Sequence, residues 1–289
     1  MNFSYLLPRL ARHFLPERLV RILLLRGWII KPGLETSQPL EAVQRYVEVL
    51  AEKGLAFPGK RVLVFGYGGR FDISLELLKQ GAAHVVLCDK YAHPDEAHNQ
   101  KLFTREQKYF TLESKGLRPR SEWITLLEAD IRNKEVRSKI EPVDIILSSS
   151  VYEHLNDVEG VTQALASITR SDGINIHFVD LRDHYFKYPF EMLRFSERIW
   201  RNFLNPSSHH NRYRLWNYRT AFESSFANVD VKTLSRDSEA FLRLRPFILP
   251  EFLSQNAAEN DATIIRVIAT HPKGKLAEYN RWSVTGQEI

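Results

Sequence analysis

Asp180-Leu181-Arg182-Asp183-His184 gathers two carboxylates, a guanidinium and an imidazole within five residues. An imidazole, with an unperturbed pKa of about 6.5, can take the proton of an attacking hydroxyl near neutral pH, and a neighbouring carboxylate can orient its ring. His184 is therefore the first candidate for a general base, with Asp180 or Asp183 as its partner. His154, in Ser148-Ser149-Ser150-Val151-Tyr152-Glu153-His154-Leu155, is the second. The same Asp, Arg and His side chains could instead make a salt-linked loop pinned by Arg182, or hold a divalent cation. A third group is different in kind. Gly66-Tyr67-Gly68-Gly69 is followed, one helix and one strand later, by Asp89. Glycines at a turn let a ligand approach the backbone, and an acid at a strand tip can grip a ribose diol.

These residues need elements to position them. Val62 to Phe65 is an unbroken apolar run after Pro58-Gly59-Lys60, as in a strand buried on both faces. Phe71, Leu75 and Leu78 recur at helical spacing, and Gly81 ends that helix. His84 to Cys88 is a second apolar strand with Asp89 at its end. The spacing predicts a β-turn-α-β unit. A dinucleotide fingerprint needs glycine at the first, third and sixth positions, which here are Gly66, Gly68 and Phe71. Asp72, in the first helical turn, would also repel a pyrophosphate. The unit therefore speaks against NAD or FAD.

At this turn the sequence resembles the class I S-adenosylmethionine (SAM)-dependent methyltransferases, whose pattern is an acidic residue, one spacer and Gly-x-Gly-x-Gly. It departs from the pattern at Val64, in the acidic position, and at Arg70, in place of the third glycine. SAM carries a ribose and no phosphate. A second likeness is Asp-Ile-Ile-x-Ser-x-x-Val-x-Glu-His-Leu from Asp144, which resembles the fourth motif of small-molecule methyltransferases. The Asn/Asp-Pro-Pro-Tyr/Phe turn of enzymes that methylate adenine or glutamine amide nitrogen is absent from it. The resemblance covers residues 59–180 well and 218–272 in outline. It implies cofactor contacts from Phe65, Gly66, Tyr67, Gly68, Asp89, Lys90, Asp130, Ile131 and Ser148, with Asp130 holding the adenine amino group.

Further strands are expected at Trp123–Glu128, Val143–Leu147, Ile174–Val179, Val229–Leu234 and Ala262–Thr270. Helices are expected from Thr36 to about Gly54, at Val158–Thr169 and at Tyr218–Phe226, and over Ser238–Ser254 with breaks at Pro246 and Pro250. Ser171-Asp172-Gly173 reads as a turn. His93 to Ser114 reads as one charged helix anchored by Leu102, Phe103, Tyr109 and Phe110. The resemblance implies an α/β fold: a doubly wound, mostly parallel seven-stranded sheet whose seventh strand runs antiparallel between the fifth and sixth. The organisation is then a helical N-terminal cap over 1–58, a SAM-binding domain over 59–272 with an insertion at 185–219, and a tail over 273–289.

Composition narrows the function. One cysteine, Cys88, excludes a disulfide framework and a multi-cysteine zinc site and suits a reducing, cytoplasmic setting. His84, His93 and His98 lack ligand spacing, so no metal is expected. The net charge is +5, and residues 1–31 carry six basic side chains against Glu17 alone, so the basic character is local and no nucleic acid is expected. That stretch is too interrupted for a membrane span of about 20 apolar residues. It suits either peripheral membrane contact or a packed cap helix with solvated arginines. The insertion interleaves Trp200, Phe203, Arg212, Tyr213, Arg214 and Trp216. That suits nucleic acid, a lid over a sugar, a lipid head group or an anionic small molecule, or a compact cap packed on itself. Its place directly after the fifth strand tip favours the lid. The reading is a SAM-dependent methyltransferase acting on a small, sugar-linked or lipid-linked molecule, on oxygen. The alternatives are a methyltransferase-like scaffold without turnover and an NAD(P)-dependent oxidoreductase.

Overall fold

The structure is a computed structural model and describes residues 3–13, 37–114, 116–183, 188–205 and 210–274. Helices α1 (Phe3–His13) and α2 (Pro39–Glu52) precede the first strand. Pro39 opens α2, where a missing N–H costs nothing, and Ala42, Val43, Tyr46, Val49 and Leu50 form its buried stripe. β1 (Arg61–Phe65) and β2 (His84–Cys88) flank α3 (Asp72–Lys79), and each strand buries its last four residues. They pair in parallel from Arg61 opposite His84 to Phe65 opposite Cys88. Next come α4 (Glu96–Phe103), a hairpin of β3 (Phe110–Glu113) and β4 (Gly116–Pro119), and β5 (Ile124–Leu127). α5 (Lys134–Arg137), β6 (Val143–Ser149), α6 (Val158–Ile168) and β7 (Thr169–Asp180) follow. After the insertion the chain makes α7 (Leu215–Glu223), β8 (Phe226–Arg236), α8 (Ser238–Leu244) and β9 (Ala262–Pro272).

The main sheet has seven strands in the order β5-β2-β1-β6-β7-β9-β8. β9 runs antiparallel to both β7 and β8, while the other pairs are parallel. This is the expected mostly parallel sheet with its last strand inserted next to the edge. The winding reverses between β1 and β6, and at such a switch point the crevice lies outside the carboxyl ends of the strands. One face is covered by α2, α3 and the hairpin, with Leu50, Phe71, Leu77 and Phe110 in the core. The other is covered by α6 and α7, through Leu165, Ala221 and Phe222. A third cluster joins Tyr5 and Leu6 of α1 to Phe190, Met192, Leu193 and Trp200 of the insertion and to Phe241 and Leu244 of α8. Of the two helices before Pro58, then, α2 belongs to the sheet and α1 to the insertion.

Three expectations change. The charged helix expected through His93–Ser114 stops at Phe103. Phe110 instead pairs with Pro119 and Glu113 with Gly116 in the small hairpin. The hairpin is anchored by Phe110 and Leu117, which are buried, while Leu112 is 59% exposed. Gly116 holds φ +114, and a Cβ there would overlap the Glu96 carboxylate. Second, Ser171–Gly173 is not a turn between elements but a register break inside β7, between the pairs Val143–Thr169 and Ile145–Ile174. Third, the α1 arginine that can be described is not solvated. Arg9 is 2% exposed and its guanidinium grips the buried Asp183, because a buried cation persists only when paired. The rest of the basic N-terminal stretch, from residue 14 to 31, lies outside the described residues. Among the described residues no helix is long and apolar enough to cross a membrane.

Candidate active site

A cavity of about 330 Å³ lies over the carboxyl ends of β1, β2, β5 and β6, with Phe65, Gly66, Asp89, Ile131, Val151 and His154 in its wall. Gly66, the first residue of the glycine bend, is part of that wall. Gly66, Gly68 and Gly69 hold φ of +82, +72 and +86, a region that side-chain-bearing residues avoid. The Gly66 amide donates to the Cys88 carbonyl at 2.8 Å, which ties the bend to the end of β2. A Cβ at Gly66 would lie 2.3 Å from the Val151 side chain, and one at Gly69 would lie 2.4 Å from the His93 carbonyl oxygen. The bend thus needs glycine both for its torsions and because its own chain packs on it.

Asp89 stands at the tip of β2 in the cavity wall. Its Oδ1 accepts the amides of Tyr91 at 2.8 Å and Ala92 at 2.9 Å, and its Oδ2 accepts the Gly68 amide at 3.3 Å. A carboxylate oxygen takes about two hydrogen bonds, so Oδ1 is filled and Oδ2 keeps room for one donor. Asp130, across the cavity, is more fully engaged. Arg132 binds it with its amide at 2.9 Å and its guanidinium at 2.6 Å, and Lys90 reaches it at 3.2 Å. Arg132 above all, supported by Lys90, holds the Asp130 carboxyl far below the usual carboxylate range. Arg132 also spans to Asp157, which caps α6 through the Gly160 amide.

The tips of β6 and β7 divide the expected catalytic groups. Ser148 is fully buried with its Oγ 2.7 Å from His177 Nδ1, and burial pushes that imidazole down to about 3. The side chain of Ser148 is therefore a core group, and the next-but-one residue, Ser150, reaches the cavity wall with φ +55. Glu153 is fully buried, and desolvation pushes its carboxyl up to about 7. Its Oε1 accepts the Asp180 amide at 3.3 Å. The Asp180 carboxylate chelates Arg182 at 2.9 and 2.8 Å. Asp183 is sealed by Tyr5, at 2.6 Å, and Arg9. The acid cluster therefore forms a pinned loop. His184 lies outside the described residues. His154 lines the cavity, with its ring centroid 5.7 Å from that of His210 in the insertion.

No protein-family profile matches this sequence, and no curated protein matches it either. Solved structures do. Phosphoethanolamine N-methyltransferase 2 of Haemonchus contortus, in complex with phosphomonomethylethanolamine and S-adenosylhomocysteine, superposes with a TM-score of 0.52 at 14% identity. The match covers 86% of this chain and 56% of that one, so this chain spans about half the length of that enzyme. The same enzyme with SAM superposes at 0.51, with 15% identity and the same coverage. This chain has the class I methyltransferase fold. A putative SAM-dependent methyltransferase of Listeria monocytogenes aligns over 100% of its own length and 80% of this chain, at 13% identity and a TM-score of 0.46.

In this methyltransferase fold, Phe65, Gly66, Asp89, Lys90, Asp130, Ile131 and His154 all meet at the cavity. Tyr67 and Ser148 are side chains of the core instead, each 0% exposed. Tyr67 stacks on Phe71, with ring centroids 6.2 Å apart, because the bend turns its Cβ inward. Gly68 contributes its amide to Asp89 and no wall. Sequence reasoning missed Tyr91, Arg132, Ser150, Val151 and Asp157 in the lining. Arg132 was open to detection two residues after Asp130, a spacing at which side chain and backbone amide can both reach the carboxylate. Ser150 gave no signal, since its place depends on a torsion.

Proposed function

We propose that this chain is a SAM-dependent methyltransferase acting on a hydroxyl of a small, sugar-linked or lipid-linked acceptor. The observation that carries this reading is the unfilled capacity of Asp89 Oδ2 inside a cavity at the switch point of the sheet. A ribose hydroxyl is the matching donor. The apolar faces of Phe65, Ile131, Val151 and Leu155 suit a purine. Asp130 braces Arg132 and Lys90 and has no room to add an exocyclic amine without displacing one of them. Asp72 sits in the first turn of α3 with its carboxylate 2.8 Å from His98, which disfavours the pyrophosphate of NAD(P) at that helix end.

SAM supplies an electrophilic methyl on a sulfonium. The chain's share is to orient the ligands and to take the hydroxyl proton, for which His154 is placed at the cavity wall. His184 stays a candidate base outside the described residues. Asp180, bound to Arg182, holds the loop in place. Peripheral membrane contact through residues 1–31 belongs to the same reading. Arg9 is bound to Asp183 inside the fold and lends no charge to that contact; the setting proposed is reducing and cytoplasmic.

The test is calorimetry with S-adenosylhomocysteine. Binding is expected, and Asp89→Asn weakens it roughly tenfold to a hundredfold, since a hydrogen bond to a charged group contributes about 1.5–3 kcal/mol. Absence of heat with the unmutated protein rejects the reading. A scaffold without turnover is favoured by Val151, whose side chain covers the Cβ-less face of Gly66. Tritiated-methyl transfer into fractionated lysate separates the two: binding without transfer to any pool supports the scaffold.

A further inference from the structure

A second cavity, of about 390 Å³, lies between the insertion and the loop after β6. It shares Asn156 with the first cavity. The His154 ring in the wall of one meets the His210 ring in the wall of the other. The two volumes are neighbours on the same edge of the sheet, and both fall within the roughly 300–1,000 Å³ of small-molecule sites.

Its chemistry is specific. Tyr213, Phe252 and Trp200 supply aromatic surface. The charged lining is Arg201, Arg212, Glu197 and Glu251, two of each sign. Arg212 is already paired with Glu197 at 2.5 Å and is 3% exposed, so it is not a seat for a new anion. Both ring nitrogens of His210 are spent on carbonyls, those of Asn211 at 2.8 Å and Arg182 at 2.9 Å. Four lining side chains keep hydrogen-bonding capacity for a ligand: Asn156, Glu251, the amide nitrogen of Asn217, and the exposed Arg201, which is 3.7 Å from Glu197. Among the described residues the Asn156 amide and the Glu251 carboxylate form no hydrogen bond, and both side chains belong to exposed residues. A phosphate or carboxylate would meet no uncommitted buried cation here. A quaternary or primary amine would meet no excess of acid. A neutral ring with several hydroxyls fits. Each hydroxyl both donates and accepts, as an amide and a carboxylate require, and the C–H face of the ring lies against aromatic carbon.

We propose that this second cavity is the acceptor site and takes a glycosyl unit, presenting one ring hydroxyl toward His154. The proposal rests on the methyltransferase reading above. The acceptor oxygen forms the new O–CH3 bond as the methyl–sulfur bond breaks. The electron pair of that bond stays on sulfur, giving the neutral thioether, and the hydroxyl proton passes to His154.

The experiment is saturation-transfer NMR on the full chain, loaded with S-adenosylhomocysteine, against a panel of methyl pyranosides, with phosphoethanolamine and phosphoserine as anionic competitors. One or more pyranosides are expected to bind, with Asn156→Ala and Glu251→Ala each weakening them roughly threefold to tenfold, the loss of one hydrogen bond. Both substitutions fall on exposed positions, and circular dichroism checks that the variants are folded. Pyranosides that fail to bind, that bind equally to both variants, or that are displaced by the phosphorylated competitors overturn the proposal. A protein that binds pyranosides but gives no heat with S-adenosylhomocysteine keeps the sugar site and rejects the methyltransferase reading. Heat with S-adenosylhomocysteine and no pyranoside binding does the reverse.

Discussion

Glu153→Gln should raise stability at alkaline pH and leave it nearly unchanged at acidic pH. Glu153 is 0% exposed, and burial lifts its carboxyl from 4.5 to about 7. The direction follows from linkage. An acid whose folded-state pKa is raised binds its proton more tightly in the fold than in the unfolded chain. Its contribution is therefore most favourable below pH 4.5, falls as pH rises from 4.5 to about 7, and is level above that. At about 1.36 kcal/mol for each tenfold change in proton affinity, that rise sets a ceiling of about 3 kcal/mol. Glutamine keeps an oxygen for the Asp180 amide and carries no charge, so the variant escapes this penalty. Urea unfolding at pH 5 and pH 8, at fixed ionic strength, reads the effect. The variant should exceed the parent by about 2–3 kcal/mol at pH 8 and match it within about 1 kcal/mol at pH 5. A difference between the two proteins that does not change with pH would refute the assignment of a buried carboxyl whose pKa is raised.

Three other outcomes follow from the geometry. Gly69→Ala should destabilise by at least about 1–2 kcal/mol from its left-handed torsion alone. The contact with the His93 carbonyl adds to that, and a midpoint unchanged in denaturant would contradict it. Arg9→Ala strips Asp183 of its cation and should cost about 3–5 kcal/mol. Asp183→Asn in the same chain should recover part of the loss, and a double variant no better than the single one would argue against the pairing. His154→Ala should lower methyl transfer by a factor of about 10² or more, with a much smaller change in S-adenosylhomocysteine affinity. Full turnover by the variant would remove its role as base.

Parallel strands buried on both faces announce themselves. Val62–Phe65 and His84–Cys88 are continuous apolar runs because four of five positions in each are inside. Asp89 was legible for the same reason: it is the first polar residue after such a run, and a strand tip is where the crevice lies. The hairpin was not legible. Its strands are four residues each, and only Phe110 and Leu117 anchor it, so its pattern merges with the helix before it. The engagement of Asp183 by Arg9 spans 174 residues, and no local spacing encodes it. The acidic cluster read as a place for substrate chemistry, and in the fold Asp183 is bound by Tyr5 and Arg9 of α1 while Asp180 is bound by Arg182.

Asn211 connects these parts. Its amide nitrogen donates to the Tyr152 and Leu155 carbonyls at 2.8 and 3.0 Å, and its oxygen accepts from the Tyr213 amide and the Tyr218 hydroxyl at 3.1 and 3.0 Å. Its own backbone amide donates to the Glu153 carbonyl at 2.8 Å. Every hydrogen-bonding position of that side chain is filled. The carbonyls it grips flank His154, so the insertion fixes the loop that carries the candidate base. An amide with two donors and two acceptor pairs can stitch two loops where a hydroxyl or a carboxylate cannot. Tyr213 in the wall of the second cavity and Leu155 in the wall of the first are thus held by one side chain. A shift of Asn211 would therefore pull on the carbonyls of Tyr152, Glu153 and Leu155, and with them on the wall of the first cavity.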